Sequence, residues 1–120
     1  MRVVVTAQGP SLNSATDPRF GRARYLVQVD TVTGAHSAID NDVNLNIAQG
    51  AGIQTGRKVV ELQAEAVITG HVGPKAFATL NAGQVAIYTG STGTVGEVVE
   101  AFKAGRLQRA ESADVEGHWA

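Results

Sequence analysis

The sequence predicts a single α/β domain built around a partly parallel sheet. Three observations predict it: aliphatic runs recur at strand length, segments of helical period connect the later runs, and glycine or proline marks the joints. At 120 residues the chain suits one domain, because about 100–150 residues is the commonest domain size and a second core would have little to bury.

Arg2 to Ala7 is rich in valine and stops at Gln8-Gly9-Pro10, as a buried central strand ended by a turn would. Gly9 to Arg22 has no clean period and carries Pro10, Asn13, Ser14, Asp17, Pro18 and Gly21, so it reads as a long structured loop, a common place for function. Tyr25 to Asp30 and Ala35 to Asp40 flank the turn-forming Thr31-Val32-Thr33-Gly34 and read as an antiparallel hairpin. After the polar stretch to Gly50-Ala51-Gly52, helical spacing predicts a first helix from about Ile53 to Ala64. Ala66 to Gly70 is a short strand, and Pro74 then opens a second helix to about Leu80, at the position where its missing N–H costs nothing. Asn81-Ala82-Gly83 stops that helix, and Gln84 to Thr89 returns as a strand. Thr94 and Glu97 have the spacing of a capping box and predict a third helix to about Ala104. Residues 106–120 show one short apolar beat at Leu107 and are expected either to pack on the body or to stay mobile. The helical crossovers make the strands at Ala66 and Gln84 parallel to each other and to the first.

Composition excludes several functions. Hydrophobic residues make up 43% of the chain and aromatics only 5%, so the core must be closely packed small aliphatic side chains. A formal net charge of -1 gives no global field for nucleic acid or an anionic membrane surface, and no apolar run approaches a membrane span. Without cysteine there is no disulfide, thiol nucleophile or thiolate metal cage. The expected compartment is the cytoplasm.

Four motifs in order then carry a resemblance. They are Asp17-Pro18-Arg19-Phe20-Gly21-Arg22-Ala23, Gly50-Ala51-Gly52-Ile53, Thr69-Gly70-His71-Val72-Gly73-Pro74, and Tyr88-Thr89-Gly90 followed by Gly93-Thr94-Val95. Together they resemble the dinitrogenase iron-molybdenum cofactor biosynthesis family, the NifX, NafY and NifB C-terminal-domain-like proteins, over nearly the whole chain. The resemblance implies a three-layer ribonuclease H-like fold with a five-stranded mixed sheet of order 3-2-1-4-5, strand 2 antiparallel, and helices on both faces. It also implies non-catalytic binding, storage or delivery of iron-molybdenum cofactor or an iron-sulfur precursor cluster, with cofactor-assembly or acceptor proteins as partners. The cysteine-bearing radical-enzyme domain and the added helical domain of some relatives have no counterpart here, so a cluster-assembling enzyme is not expected.

In such a sheet the loops after the parallel strands gather on one edge, where ligands of open α/β sheets bind. Helix N-termini on that edge favour negative charge, which makes Gly52, Gly70, Gly73, Gly90 and Thr94 candidate cofactor-binding positions. A preassembled cluster brings its own sulfides and needs only one or two protein donors in positive surroundings. His71, directly after a strand end, is the first candidate metal donor, against the plain reading of a hydrogen-bonding turn histidine. His118 in the tail is the second, against simple solvation. Arg19 and Arg22, with Arg24, make the loop locally basic and suit an anionic cluster, against structural pairing with Asp17 or Asp30.

Other chemistries lack their residues. A two-metal nuclease needs clustered carboxylates where the first strand offers Thr6 and Gln8. Gly50-Ala51-Gly52 lacks the third glycine of a dinucleotide fingerprint, and Ser91 lacks a nucleophile elbow. The competing function from a different class is a protein-interaction or regulatory domain that binds a small anion or no cofactor.

Overall fold

The valine-rich opening run forms β1 (Arg2–Ala7), with every residue from Val3 to Ala7 buried, as a strand covered on both faces requires. The structure, a computed structural model, describes residues 1–42, 50–89 and 92–111. The hairpin forms as β2 (Tyr25–Asp30) and β3 (His36–Asp40). The Asp30 carboxylate closes its turn by accepting from the N–H groups of Val32 and Thr33 at 2.8 and 3.2 Å. There follow α1 (Ala51–Glu61), β4 (Ala66–Ile68), α2 (Pro74–Ala82), β5 (Ala86–Thr89), α3 (Val95–Lys103) and β6 (Gln108–Arg109).

The sheet order is β3-β2-β1-β4-β5-β6. β4 is parallel to β1 and β5 to β4, while β2 is antiparallel to both β1 and β3. The expected five-strand order is thus present within a larger sheet. The correction is the sixth strand: Arg109 and Gln108 pair antiparallel with Tyr88 and Thr89, and Ala110 N–H donates to the Ile87 carbonyl at 2.8 Å. Two exposed polar residues on an outer edge show no alternation, so nothing local announces them.

Period-two alternation divides the core. Val4, Leu26, Val67 and Ile87 face one side and pack with Val59 of α1 and with Ala76 and Leu80 of α2. Val3, Val5, Val27, Ala66 and Ile68 face the other and pack with Val95, Val98 and Val99 of α3. The result is three layers, with two helices on one face and one on the other. Each helix follows a strand running in the direction of β1, so all three helices begin on the edge where β1, β4 and β5 end. Among the described residues no helix is long and apolar enough to cross a membrane.

Candidate functional site

The loop between β1 and β2 lies along that edge and is tied to three elements. Thr6 holds its middle: Asp17 N–H donates to the Thr6 carbonyl at 2.9 Å, and the Thr6 hydroxyl lies 2.8 Å from both the Asp17 carbonyl and the Thr69 hydroxyl. Phe20, fully buried with Val4, Leu26 and Val72, anchors the loop in the core, as its apolar ring predicts. Between these anchors the chain runs beside the segment after β4. His71 N–H donates to the Pro18 carbonyl at 2.7 Å and Phe20 N–H to the His71 carbonyl at 3.3 Å, which sets Arg19 and His71 in parallel register.

Gly70 is required by this approach. A Cβ there would lie 2.5 Å from Pro18 Cα and 2.6 Å from its carbonyl oxygen, backbone atoms that cannot yield. On the side where a Cβ would project, Gly70 faces the loop.

The start of α3 is likewise used internally. Val95 N–H donates to the Ser14 carbonyl at 2.9 Å and Gly96 N–H to the Leu12 carbonyl at 2.8 Å. The expected capping box is present: the Thr94 hydroxyl accepts from Glu97 N–H at 3.2 Å, and Glu97 Oε1 accepts from Thr94 N–H at 3.0 Å. That backbone donor holds the Glu97 carboxyl below its usual range. The first-turn amides of α3 face chain oxygens, and Thr94 acts as a cap. Neither α1 nor α2 has a side-chain N-cap; Gly52 is buried in the first turn of α1, and Gly73 is the buried residue that precedes Pro74.

What the loop leaves open is a concavity of about 560 Å³ lined by Gln8, Asp17, Pro18, Arg19, Arg22 and Arg24. Asp17 is buried, and its Oδ1 accepts from Arg19 N–H at 2.9 Å and lies 3.6 Å from Arg19 Nε. Arg24 stands over the Tyr25 ring, with its Nε 3.8 Å from Asp40 and 3.7 Å from Asp42. Of the structural pairings expected for these arginines, the one to Asp17 forms, and Asp40 and Asp42 take the place of Asp30. The lining residues carry three guanidinium groups and one carboxylate, and the carboxylates of Asp40 and Asp42 stand beside Arg24. Gly52, Gly70, Gly73, Thr94 and exposed His71 do not line the concavity, although His71 is in register with Arg19, which does. Gly90, Ser91 and His118 lie outside the described residues. Among the described residues no three His, Asp or Glu side chains group to hold a metal ion.

Sequence reasoning missed the residues that fasten the arginine segment from behind. Asn41, fully buried, donates from Nδ2 to the Ala23 carbonyl at 3.0 Å and to Thr55 Oγ1 at 3.1 Å, while Thr55 Oγ1 donates to the Gly21 carbonyl at 3.1 Å. Asn41 N–H donates to the Arg24 carbonyl at 2.8 Å. Nothing in one sequence distinguishes such an asparagine from an ordinary turn residue.

Comparison with known proteins decides the family. The family model described as dinitrogenase iron-molybdenum cofactor matches residues 1–105. The chain belongs to that family. Among solved structures it is similar to the apo form of the orange protein from Desulfovibrio gigas, at 36% identity and a TM-score of 0.92, covering 95% of this chain and 96% of that one. A candidate NifB protein from Thermotoga is similar at 34% identity and a TM-score of 0.83, covering 97% and 98% of the two chains. An uncharacterised protein of Methanocaldococcus jannaschii is 24% identical over 104 residues, which is 85% of this chain and 88% of that protein. Family membership places the chain among cofactor-associated proteins, and the matched span contains all four motifs read from the sequence.

Proposed function

We propose that this member of the dinitrogenase iron-molybdenum cofactor family binds a preassembled metal-sulfur cluster, iron-molybdenum cofactor or an iron-sulfur precursor, as cargo, and carries or stores it without catalysing a reaction. The observation that supports this reading is the concavity at the strand ends, lined by Arg19, Arg22 and Arg24, with His71 in backbone register with Arg19. A thiolate cage is impossible without cysteine, so the protein must recognise the cluster mainly as an anion. Guanidinium groups suit anion recognition because they stay charged, hydrate weakly and present several donors in one plane. In this reading Arg19 and Arg22 supply attraction, and His71 supplies one imidazole nitrogen to the metal. Gly52, Gly70 and Gly73 shape the edge. Cofactor-assembly or acceptor proteins are the proposed partners.

The test is anaerobic titration of the protein with isolated iron-molybdenum cofactor and with precursor cluster, followed by absorption and electron paramagnetic resonance. Saturable spectral change is expected. No change with either cluster would favour the interaction-domain reading instead.

A further inference from the structure

We infer that Asn41 and Thr55 are positioning residues for the cargo site: they hold the backbone on both sides of Arg22 so that the guanidinium groups converge on one anion. This deepens the cargo-binding reading and rests on it.

Both side chains are fully buried, where a polar group is costly unless its hydrogen bonds are made. Three of their bonds go to one short segment: Thr55 Oγ1 to the Gly21 carbonyl, Asn41 Nδ2 to the Ala23 carbonyl and Asn41 N–H to the Arg24 carbonyl. The Asn41–Thr55 bond of 3.1 Å joins the two side chains, so the end of β3 and the first turns of α1 act on the segment together. Apolar residues would fill the same space, but only directional bonds fix where the carbonyls point and hence where the intervening side chains leave the chain. The neighbours of Asn41 extend the grip outward, since Asp40 and Asp42 both approach the Arg24 guanidinium. One tripeptide, Asp40-Asn41-Asp42, thus holds the main chain of Arg24 from inside and its side chain from outside.

The test compares wild type with Thr55→Val, which keeps shape and loses the hydroxyl, and Thr55→Ser, which restores it. Asn41→Asp, which loses both Nδ2 donors, serves as the independent variant. Each is titrated anaerobically with isolated iron-molybdenum cofactor over a range of salt, with folding checked by circular dichroism, and side-chain order is read from Arg22 and Arg24 Nε–H relaxation. Thr55→Val is expected to stay folded, bind at least tenfold more weakly with a flatter salt dependence, and lose guanidinium order, while Thr55→Ser recovers all three. Unchanged affinity and slope in folded Thr55→Val and Asn41→Asp would overturn the inference. Should wild type bind no cofactor, the cargo reading fails by itself. The relaxation then decides positioning: order lost in Thr55→Val and regained in Thr55→Ser sustains it, and equal order in all three overturns it.

Discussion

Arg19 and His71 lie side by side in parallel register although 52 residues separate them in sequence, because the loop after β1 and the segment after β4 exchange the bonds His71 N–H to Pro18 and Phe20 N–H to His71. Residues in register on parallel chains project to the same side. Their neighbours Phe20 and Val72 are both buried, while Arg19 and His71 are exposed. A cation and an imidazole thereby leave the edge together.

If His71 donates to the cluster, His71→Ala weakens anaerobic binding at least tenfold, or ~1.4 kcal/mol. The fold is retained because the His71 side chain is exposed and its register bonds use only backbone. Titration beside circular dichroism checks both halves, and unchanged affinity would remove His71 from the site.

Gly70→Ala drives a methyl group into the backbone of Pro18. Overpacking of this kind costs about 1–3 kcal/mol. A lower urea midpoint with an unchanged slope is expected, together with weaker cluster binding, because the displaced segment carries Arg19. Wild-type stability in the variant would mean that the loop does not lie against Gly70.

Phe20→Ala empties the buried anchor of the same loop. Loss of a core phenylalanine costs ~3–5 kcal/mol, a large part of a typical domain's total stability. Chemical denaturation measures it, and a loss below about 1 kcal/mol would contradict the burial of this ring.

The capping box predicts a pH dependence. The Glu97 carboxyl is held below its ordinary value of 4.5, first by the Thr94 N–H and then by the Thr94 hydroxyl. A carboxyl depressed in the folded state contributes stability that is present above its unfolded value and is lost as pH falls through its folded value. The stability advantage of wild type over Glu97→Gln is therefore constant at neutral pH and shrinks below about pH 4.5. Thr94→Ala, which removes the cap, costs ~1 kcal/mol. Thermal unfolding across pH checks the pair, and a gap that widens on acidification would reverse the sign.

What the sequence made legible was local. The valine run gave β1 its bounds, Gly73-Pro74 marked the start of α2, and the Thr94–Glu97 spacing marked that of α3. The first helix begins at Ala51, not Ile53, because Gly50 takes a left-handed φ of 82° and turns the chain into the helix before the apolar spacing starts. The non-local features were not legible. The carbonyls of Ser14 and Leu12 seal the start of α3 from about 80 residues away, so a helix N-terminus that reads as open is occupied. The bonds from Asn41 and Thr55 to residues 21–24 depend on how β3 and α1 pack, which no spacing encodes.

In the proposed function Arg19 and Arg22 attract the cluster as an anion. The most direct measurement is anaerobic titration of wild type and the Arg19→Gln/Arg22→Gln double variant with isolated iron-molybdenum cofactor, from low salt to well above physiological ionic strength. Exposed charges are screened over a distance of about 10 Å at 0.1 M salt, so wild-type affinity should fall as salt rises. The double variant should bind more weakly at low salt and show a flatter dependence. Equal affinity and equal salt dependence in the two proteins would contradict the account.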